Sequence, residues 1–330
     1  MHLVLLGVVR KLVGYWVSGP KKVRRSFRQV EEMTGRMLDL ASHTPSDFNR
    51  KPRALGQRER WKATECRLFL LYAAPIVLKN VLTDECYFHF LILHVSIRIL
   101  CTKNMNEEMI SYAEKLLRSF VEQASSIYGE TVQVYNIHSL IHLADDVRRY
   151  GPLDSFSSFP FENYLGQLKR LLRTGSRPLA QLYKRMMEQM RCKELPALDK
   201  HSNKLGPIHE EGPVPLGREG SQQYQKLECA LGQLARKEGN NCVMLMDGSV
   251  FIIENIIGQD DRVCVVGRKF ECVMDLYAYP CKSSNIAVHK VSNLSSAMSV
   301  CPLKDIKMKC VLYPSSHGYA CLPLLHVLHK

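Results

Sequence analysis

The sequence of 330 residues lacks several signatures that would assign a function at once. It contains no glycine-rich phosphate loop, no G-x-S-x-G elbow and no kinase signature, so nucleotide-dependent and ordinary hydrolase functions have no support. Among its 12 cysteines no two are spaced as C-x-x-C, which weakens both a zinc and a disulfide interpretation. We therefore expect free, mostly buried thiols in a reducing compartment.

Long apolar runs are also missing. Residues 1–9 are apolar but lack a basic leader, which favours a buried helix over a signal peptide. Residues 88–100 are interrupted by His89, His94 and Arg98 and are shorter than the roughly 20 residues that cross a bilayer. The sequence therefore predicts no membrane association.

Acidic residues are scarce in two segments. The formal net charge is +13, but residues 10–62 hold 14 Lys and Arg against 5 Asp and Glu, and residues 163–193 hold 8 against 1. Clustered Lys and Arg favour a polyanion such as DNA, because neutralising phosphates releases condensed counterions. The alternative is a basic surface without a specific partner. The phosphate-binding candidates are Lys21, Lys22, Arg24, Arg25, Lys169, Arg170 and Arg173, which would position DNA without reading its sequence.

The pattern along the chain divides it into three parts. Residues 1–193 are predicted to be mainly helical, with the apolar stripe Ile110, Ala113, Leu117, Phe120, Ala124 and Ile127 as the clearest helix. Residues 194–221 contain four prolines and four glycines, as linkers do. Residues 222–330 show five or six short strands and an Asp247-Gly248 hairpin turn, which predicts a small barrel, SH3-like or related. Eight of the cysteines lie in this third part and are interpreted as core residues.

The helix that opens at Pro160 carries the main candidate for chemistry. Glu162 falls in its first turn. The residues predicted to form its buried face are Phe161, Leu165, Leu168 and Leu172, which leaves Glu162, Lys169 and Arg173 together about 100° around the helix. Such a face suits a metal ion beside phosphates. The alternative is an acid placed favourably at the positive end of a helix dipole, since one carboxylate does not specify a divalent-ion site.

A second group of candidates lies on the preceding helix, predicted over residues 134–150. His138, His142 and Asp145 stand at i, i+4 and i+7, a spacing compatible with one metal ion. Histidines beside an apolar stripe are otherwise hydrogen-bonded boundary residues. A third interpretation is that these residues and Asp146 support Glu162, because the two helices are joined by only about nine residues.

Two strings carry a resemblance to a known family. The string H-x-x-x-H-L, then G-P, then F-P-F-E-N-Y-L-G-x-L-K with R-P following, resembles the C-terminal conserved region of CACTA (En/Spm)-like DDE transposases and transposase-derived animal proteins. The opening M-H-L-V-x-L-G-V is also similar to that family, and the resemblance covers roughly residues 1–190. It implies an RNase H-like fold with a helical insertion, of which this chain is an incomplete remnant, and makes Glu162 the last acid of a DDE triad.

The resemblance also implies what the chain lacks. In the family an Asp lies two residues before the Met-His string, so the first two catalytic aspartates would lie outside these 330 residues. Strand transfer uses two divalent cations about 4 Å apart, and one carboxylate retains Mg²⁺ poorly. We therefore expect a truncated or domesticated nuclear DNA-binding protein without strand-transfer activity alone. Its helices would expose an apolar face, covered by a protein partner or a second copy. The alternatives are a nuclease whose Mg²⁺ site is completed by another chain, and a non-enzymatic chromatin or protein interaction module.

Overall fold

The computed structural model describes residues 1–192, 203–259 and 262–325. Helices fill the first range and strands dominate the other two, as the sequence predicted. Part of the predicted linker, residues 194–202, lies outside the described residues. The rest of it carries the short strands β1 (Lys204–Leu205) and β2 (Ile208–His209).

The helical part consists of ten α-helices with short π and 3₁₀ segments between them. They are α1 (Arg10–Ser18), α2 (Phe27–His43), α3 (Ala63–Leu68), α4 (Ala74–Val77), α5 (Asp84–Cys101), α6 (Glu107–Tyr128), α7 (Tyr135–His138), α8 (Leu143–Tyr150), α9 (Phe159–Leu171) and α10 (Pro178–Cys192). A π-helical segment, Leu3–Val9, leads directly into α1, so the predicted N-terminal helix is confirmed. The basic segment that follows α1 contains α2, which runs for 17 residues from a Ser26–Gln29 capping box.

The centre of this part is the α5–α6 pair. Nearly every residue of α5 is buried, because its sequence is apolar nearly all round the helix. The predicted stripe of α6 is buried along its whole length, and Gly129 ends the helix at φ 87°, where a residue without a Cβ is favoured. The predicted helix over residues 134–150 is interrupted, because α7 and α8 are separated by the 3₁₀ turn Ser139–His142.

The remaining strands are β3 (Gln222–Tyr224), β4 (Lys226–Cys229), β5 (Gly232–Ala235), β6 (Cys242–Leu245), β7 (Val250–Gln259), β8 (Arg262–Asp275), β9 (His289–Leu294), β10 (Ser299–Pro302), β11 (Ile306–Ser315) and β12 (Gly318–Pro323). A nine-stranded sheet has the order β10-β8-β9-β12-β11-β6-β7-β3-β2, with β7 also pairing with β8, and β1, β4 and β5 form a second sheet. All pairs are antiparallel.

One hydrophobic core extends across both parts of the chain. Tyr277, Tyr313 and Leu322 from the strands belong to the same buried cluster as α5 and α6. Thr44, just after α2, hydrogen-bonds to Tyr313 at 2.9 Å. Lys309 on β11 is fully buried and binds the carboxylate of Asp47. The strands are therefore packed onto the helices through both apolar and polar contacts.

No helix within the described residues is long and apolar enough to span a membrane. Eleven cysteines are described as free thiols and eight of them are buried, which confirms the expectation of mostly buried thiols. Of the eight cysteines in residues 222–330 that were assigned to the core, five are buried, and Cys229, Cys272 and Cys281 are half-buried.

Candidate nucleic-acid interface

The helices α9 and α10 form a hairpin that stands on the surface of the helical part. None of the residues of α9 is buried, and Phe161 and Leu165 are 70% and 62% exposed. The predicted buried face of this helix was therefore wrong for these two residues, while Leu168 and Leu172 are half-buried. The spacing was right for a helix, but α10 is the principal described element packed against it. The first half of its apolar stripe, Phe161 and Leu165, consequently faces solvent.

The turn between the two helices is ordered by one amide side chain. Gln181 accepts a hydrogen bond from the backbone N–H of Arg173 at 3.0 Å and donates to Thr174 Oγ1 at 3.0 Å. It also donates to the backbone carbonyl of Ser176. One side chain thus satisfies backbone groups of Arg173, Thr174 and Ser176 in the turn between the helices. The sequence pattern gave no signal for this role of Gln181.

The hairpin is strongly basic. Residues 159–192 hold seven Lys and Arg against two Asp and Glu, a net charge of +5. Lys169, Arg170 and Arg173, three of the predicted phosphate contacts, are all exposed at the end of α9. Large apolar side chains are exposed between these charges, among them Tyr164, Leu179, Tyr183 and Met190. The surface therefore combines positive charge with rings and aliphatic groups.

Glu162 contacts a residue that the sequence analysis did not select. Its Oε1 lies 2.9 Å from Nε2 of His2, and the side chain of Glu162 is 59% exposed. The His2 ring also packs on the ring of Phe159, with centroids 4.0 Å apart. The first residues of the chain therefore lie against the first turn of α9. The partner lies 160 positions away in the sequence, so local spacing could not reveal it.

The four residues predicted to support Glu162 lie elsewhere on α7 and α8. His138 and His142 are exposed, with ring centroids 5.8 Å apart. Asp145 is bound to Arg148 at 2.8 Å, and Arg148 also binds the carboxylates of Glu107 and Glu114 on α6. No hydrogen bond or ion pair joins these residues to Glu162 within the described chain. In residues 1–192, 203–259 and 262–325, no group of three or more His, Cys, Asp or Glu is arranged to hold a metal ion.

The carboxylate of Asp146 is one of the charges that act on the Met1 amino group. Burial lowers the pKa of the Met1 amino group, while the negative charges of Asp154 and Asp146 act in the opposite direction. Asp154 is itself held by Arg67 through two hydrogen bonds, at 2.6 and 2.7 Å. Of these carboxylates, Asp154 already has a cationic partner in Arg67. Among the described residues, neither it nor Asp146 belongs to a group of three or more side chains that could hold a metal ion.

The second set of predicted phosphate contacts follows α1. Lys21 and Arg24 are exposed, whereas Lys22 donates to the carbonyl of Ser126 and Arg25 donates its Nε–H to the carbonyl of Val23 at 3.0 Å. His2 lies beside the first turn of α9, whereas this turn follows the end of α1, at the other end of a helical segment roughly 20 Å long.

Comparison with known proteins gives a match outside this interface. Residues 208–324 match the family model of DUF8592, a domain of unknown function, which covers the sheet-rich part of the chain. No curated protein and no solved structure matches the chain. The match supports a defined unit among the strands and assigns no chemistry to it.

Proposed function

We propose that this chain is a DNA-binding protein derived from a CACTA-like DDE transposase, and that its α9–α10 hairpin contacts DNA phosphates. The observation that carries the proposal is a net charge of +5 on two helices that leave no residue of α9 buried. Long cationic side chains on a projecting hairpin reach phosphates without steric hindrance. Exposed Tyr164 and Tyr183 add rings that pack on sugars or on unpaired bases.

The contact between His2 and Glu162 supports the transposase relationship. The family resemblance rests on two strings, one at the chain start and one around Glu162, and these strings meet at 2.9 Å. An aspartate two residues before the Met-His string would then lie near Glu162. On this proposal the helices are a remnant of an RNase H-like fold, and the protein acts in the nucleus.

Glu162 by itself does not fit Mg²⁺. The ion takes oxygen ligands in near-octahedral geometry, and here one exposed carboxylate faces an imidazole. We infer that the chain alone performs no strand transfer. The alternative is a nuclease completed by aspartates of another chain, which the 59% exposure of Glu162 favours because the carboxylate is accessible. Mg²⁺-dependent nicking that Glu162→Gln abolishes would establish that alternative.

A protein partner or a second copy also belongs to the proposal. Phe161, Leu165 and Leu179 are each more than half exposed on the hairpin. Apolar side chains exposed next to one another favour association.

The sheet-rich part suggests an additional role as an interaction module. The pairings run in a cycle through β6, β7, β8, β9, β12, β11 and back to β6, which supports the proposal of a small barrel. Fold alone does not define a ligand.

The test of DNA binding is its salt dependence, measured by fluorescence anisotropy with a labelled duplex in rising KCl. A variant with Lys169, Arg170 and Arg173 changed to Gln should weaken binding to every duplex sequence alike. The slope of log K against log salt should fall by about 2.7, since each phosphate contact contributes about 0.9. Changing Lys304 and Lys307, exposed cations among the strands, to Gln is the matched control. An unchanged slope in the hairpin variant would refute the proposal.

A further inference from the structure

Two clefts on the sheet-rich part join into one groove. The first has a volume of about 670 Å³ and lies between His43 at the end of α2 and the β9, β11 and β12 strands. The second, about 700 Å³, lies beside Arg236 and Arg268. Asn241, Ile252 and Leu294 line both, so the two clefts adjoin one another. We call this feature the sheet groove.

One end of the sheet groove carries an excess of positive charge. Arg268 is paired with Glu254, with Nε 2.7 Å from Oε1. Arg236 donates to the carbonyls of Glu254 at 3.0 Å and Glu211 at 3.3 Å, and to Nδ1 of His209 at 3.0 Å. Lys237 is exposed, and no carboxylate pairs with Arg236 or Lys237 in the part of the chain that the structure describes. Arg236 and Lys237 therefore place two positive charges at this end that no described carboxylate pairs with, and Lys237 is the exposed one.

The other end offers a ring and amides, together with Glu238, whose carboxylate lies 3.6 Å from Nδ1 of His43. Tyr319 packs on Phe270, with ring centroids 5.9 Å apart, and is 38% exposed while Phe270 is 7% exposed. Asn293 lies at the rim with φ 55°, and such conformations of non-glycine residues collect at binding sites. At the junction of the two clefts, the half-buried Asn241 side chain has no hydrogen bond to any described residue. Its amide is able to donate to and accept from a polypeptide backbone.

We propose that the sheet groove binds an extended peptide segment with acidic side chains. This inference rests on the proposed role of the strands as an interaction module, and it names the binding site and the class of ligand for that role. Small-molecule pockets hold about 300–1,000 Å³, and the joined clefts exceed this range. A single-stranded nucleic acid needs cations along its whole backbone and freely exposed rings. Here Arg236 and Lys237 lie at one end and Phe270 is buried. An acidic peptide suits both ends of the groove. Its carboxylates would pair with Arg236 and Lys237, and its backbone would hydrogen-bond to the side chain of Asn241.

The experiment uses the full chain and a pool of fluorescein-labelled decapeptides with five Asp or Glu positions and random residues elsewhere. A pool with Lys at those five positions is the matched ligand control. We expect the acidic pool to bind with a Kd below about 1 mM and the lysine pool to bind much more weakly. Lys237→Glu should weaken binding of the acidic pool about fivefold, because it replaces an exposed attraction with a repulsion. Lys304→Glu, an exposed charge reversal outside the groove, should leave it unchanged.

The outcome separates this proposal from the DNA-binding one. Lys237→Glu should retain DNA affinity, and the Lys169, Arg170 and Arg173 variant should retain peptide affinity. Tyr319→Ala is a second groove variant, and urea unfolding reports whether each variant is folded. Equal binding of both peptide pools, no binding of the acidic pool at about 1 mM, or displacement of the peptides by a single-stranded oligonucleotide would overturn the proposal.

Discussion

Two histidines inside α5 should make the protein sensitive to mild acid. His89 Nε2 hydrogen-bonds to the carbonyl of Phe120 at 2.9 Å, and His94 Nδ1 to the carbonyl of Leu70 at 2.7 Å. Burial lowers the pKa of His89 to about 4 and that of His94 to about 3, with the positive charge of Arg98 adding to the effect at His94. The second nitrogen of each ring has no hydrogen-bond partner among the described residues, so protonation would bury an unpaired N–H.

The pKa values fix the sign and size of the effect. In the unfolded chain both histidines have a pKa of about 6.5. Their contribution to the free energy of unfolding is complete above that pH and is lost as the pH falls towards 4 and 3. Between pH 7 and pH 5 the unfolded rings become protonated while the native rings stay neutral. Each histidine then removes about 2 kcal/mol, a large share of the roughly 5–15 kcal/mol that stabilises a domain.

Urea unfolding at pH 7 and pH 5 measures this loss. The unaltered protein should lose about 4 kcal/mol and His89→Gln about 2 kcal/mol, because glutamine keeps an N–H donor but does not titrate. The absolute stability of the variant at pH 7 is also expected to be lower. His317→Gln, at an exposed position, should show the full loss. If His89→Gln loses as much as the unaltered protein between the two pH values, the burial argument is wrong.

Two further predictions concern stability. Asp47→Asn and Lys309→Met should each lower the free energy of unfolding by about 3–5 kcal/mol, because each leaves a buried partner without its ion pair. In urea unfolding, the loss in the double variant should be smaller than the sum of the two single losses by at least about 2 kcal/mol. Additive effects would contradict the pairing, and Lys307→Met on the exposed side of the same strand is the control. Gly129→Ala should lower the free energy of unfolding by about 1–2 kcal/mol, because the φ of Gly129 is 87°. Gly35→Ala, at an exposed position within α2, should raise it by about 0.5–1 kcal/mol. Thermal unfolding measures both changes.

The sequence predicted those elements whose signals are local and agree with one another. In α6 an apolar stripe and a terminating glycine both gave the helix that is observed. Similarly, the Asp247-Gly248 turn forms, with Gly248 at φ 83° and Asp247 Oδ1 accepting the Ser249 N–H at 2.9 Å. Turns and helix caps depend on a few neighbouring residues, so they can be predicted from the sequence without knowledge of the fold.

Strand lengths were harder to predict. The apolar runs of the sequence predict short strands over residues 249–254 and 262–266, whereas β7 and β8 extend well beyond both ranges. The apolar run of β7 is interrupted by Asn255, which is fully buried at a register shift and bonds to Gln223 at 2.8 Å. A polar residue at a bulge looks like a strand end in the sequence, although its partner on β3 allows pairing to continue.

In the candidate nucleic-acid interface, the contacts between residues distant in the sequence were harder still to predict. A glutamate in the first turn of α9 was predicted from Pro160, and the helix begins at Phe159. Which side of α9 is covered could not be predicted, because a stripe at helical spacing indicates a face and does not say what covers it. The contact between Glu162 and His2 could not be predicted either, because it depends on the path of the chain through the whole helical part.

The shared core changes how the two proposed binding surfaces should be separated. Removing the strands would expose apolar surface of α5 and leave Arg98 without the Pro323 carbonyl, to which its Nη2 donates at 3.2 Å. Arg98 is fully buried, and a buried cation that loses an acceptor is destabilising. A truncated helical part that fails to bind DNA would therefore report unfolding and not the location of the interface. Point changes on exposed residues, such as Lys169 on α9 and Lys237 in the sheet groove, leave that core intact and test each surface by itself.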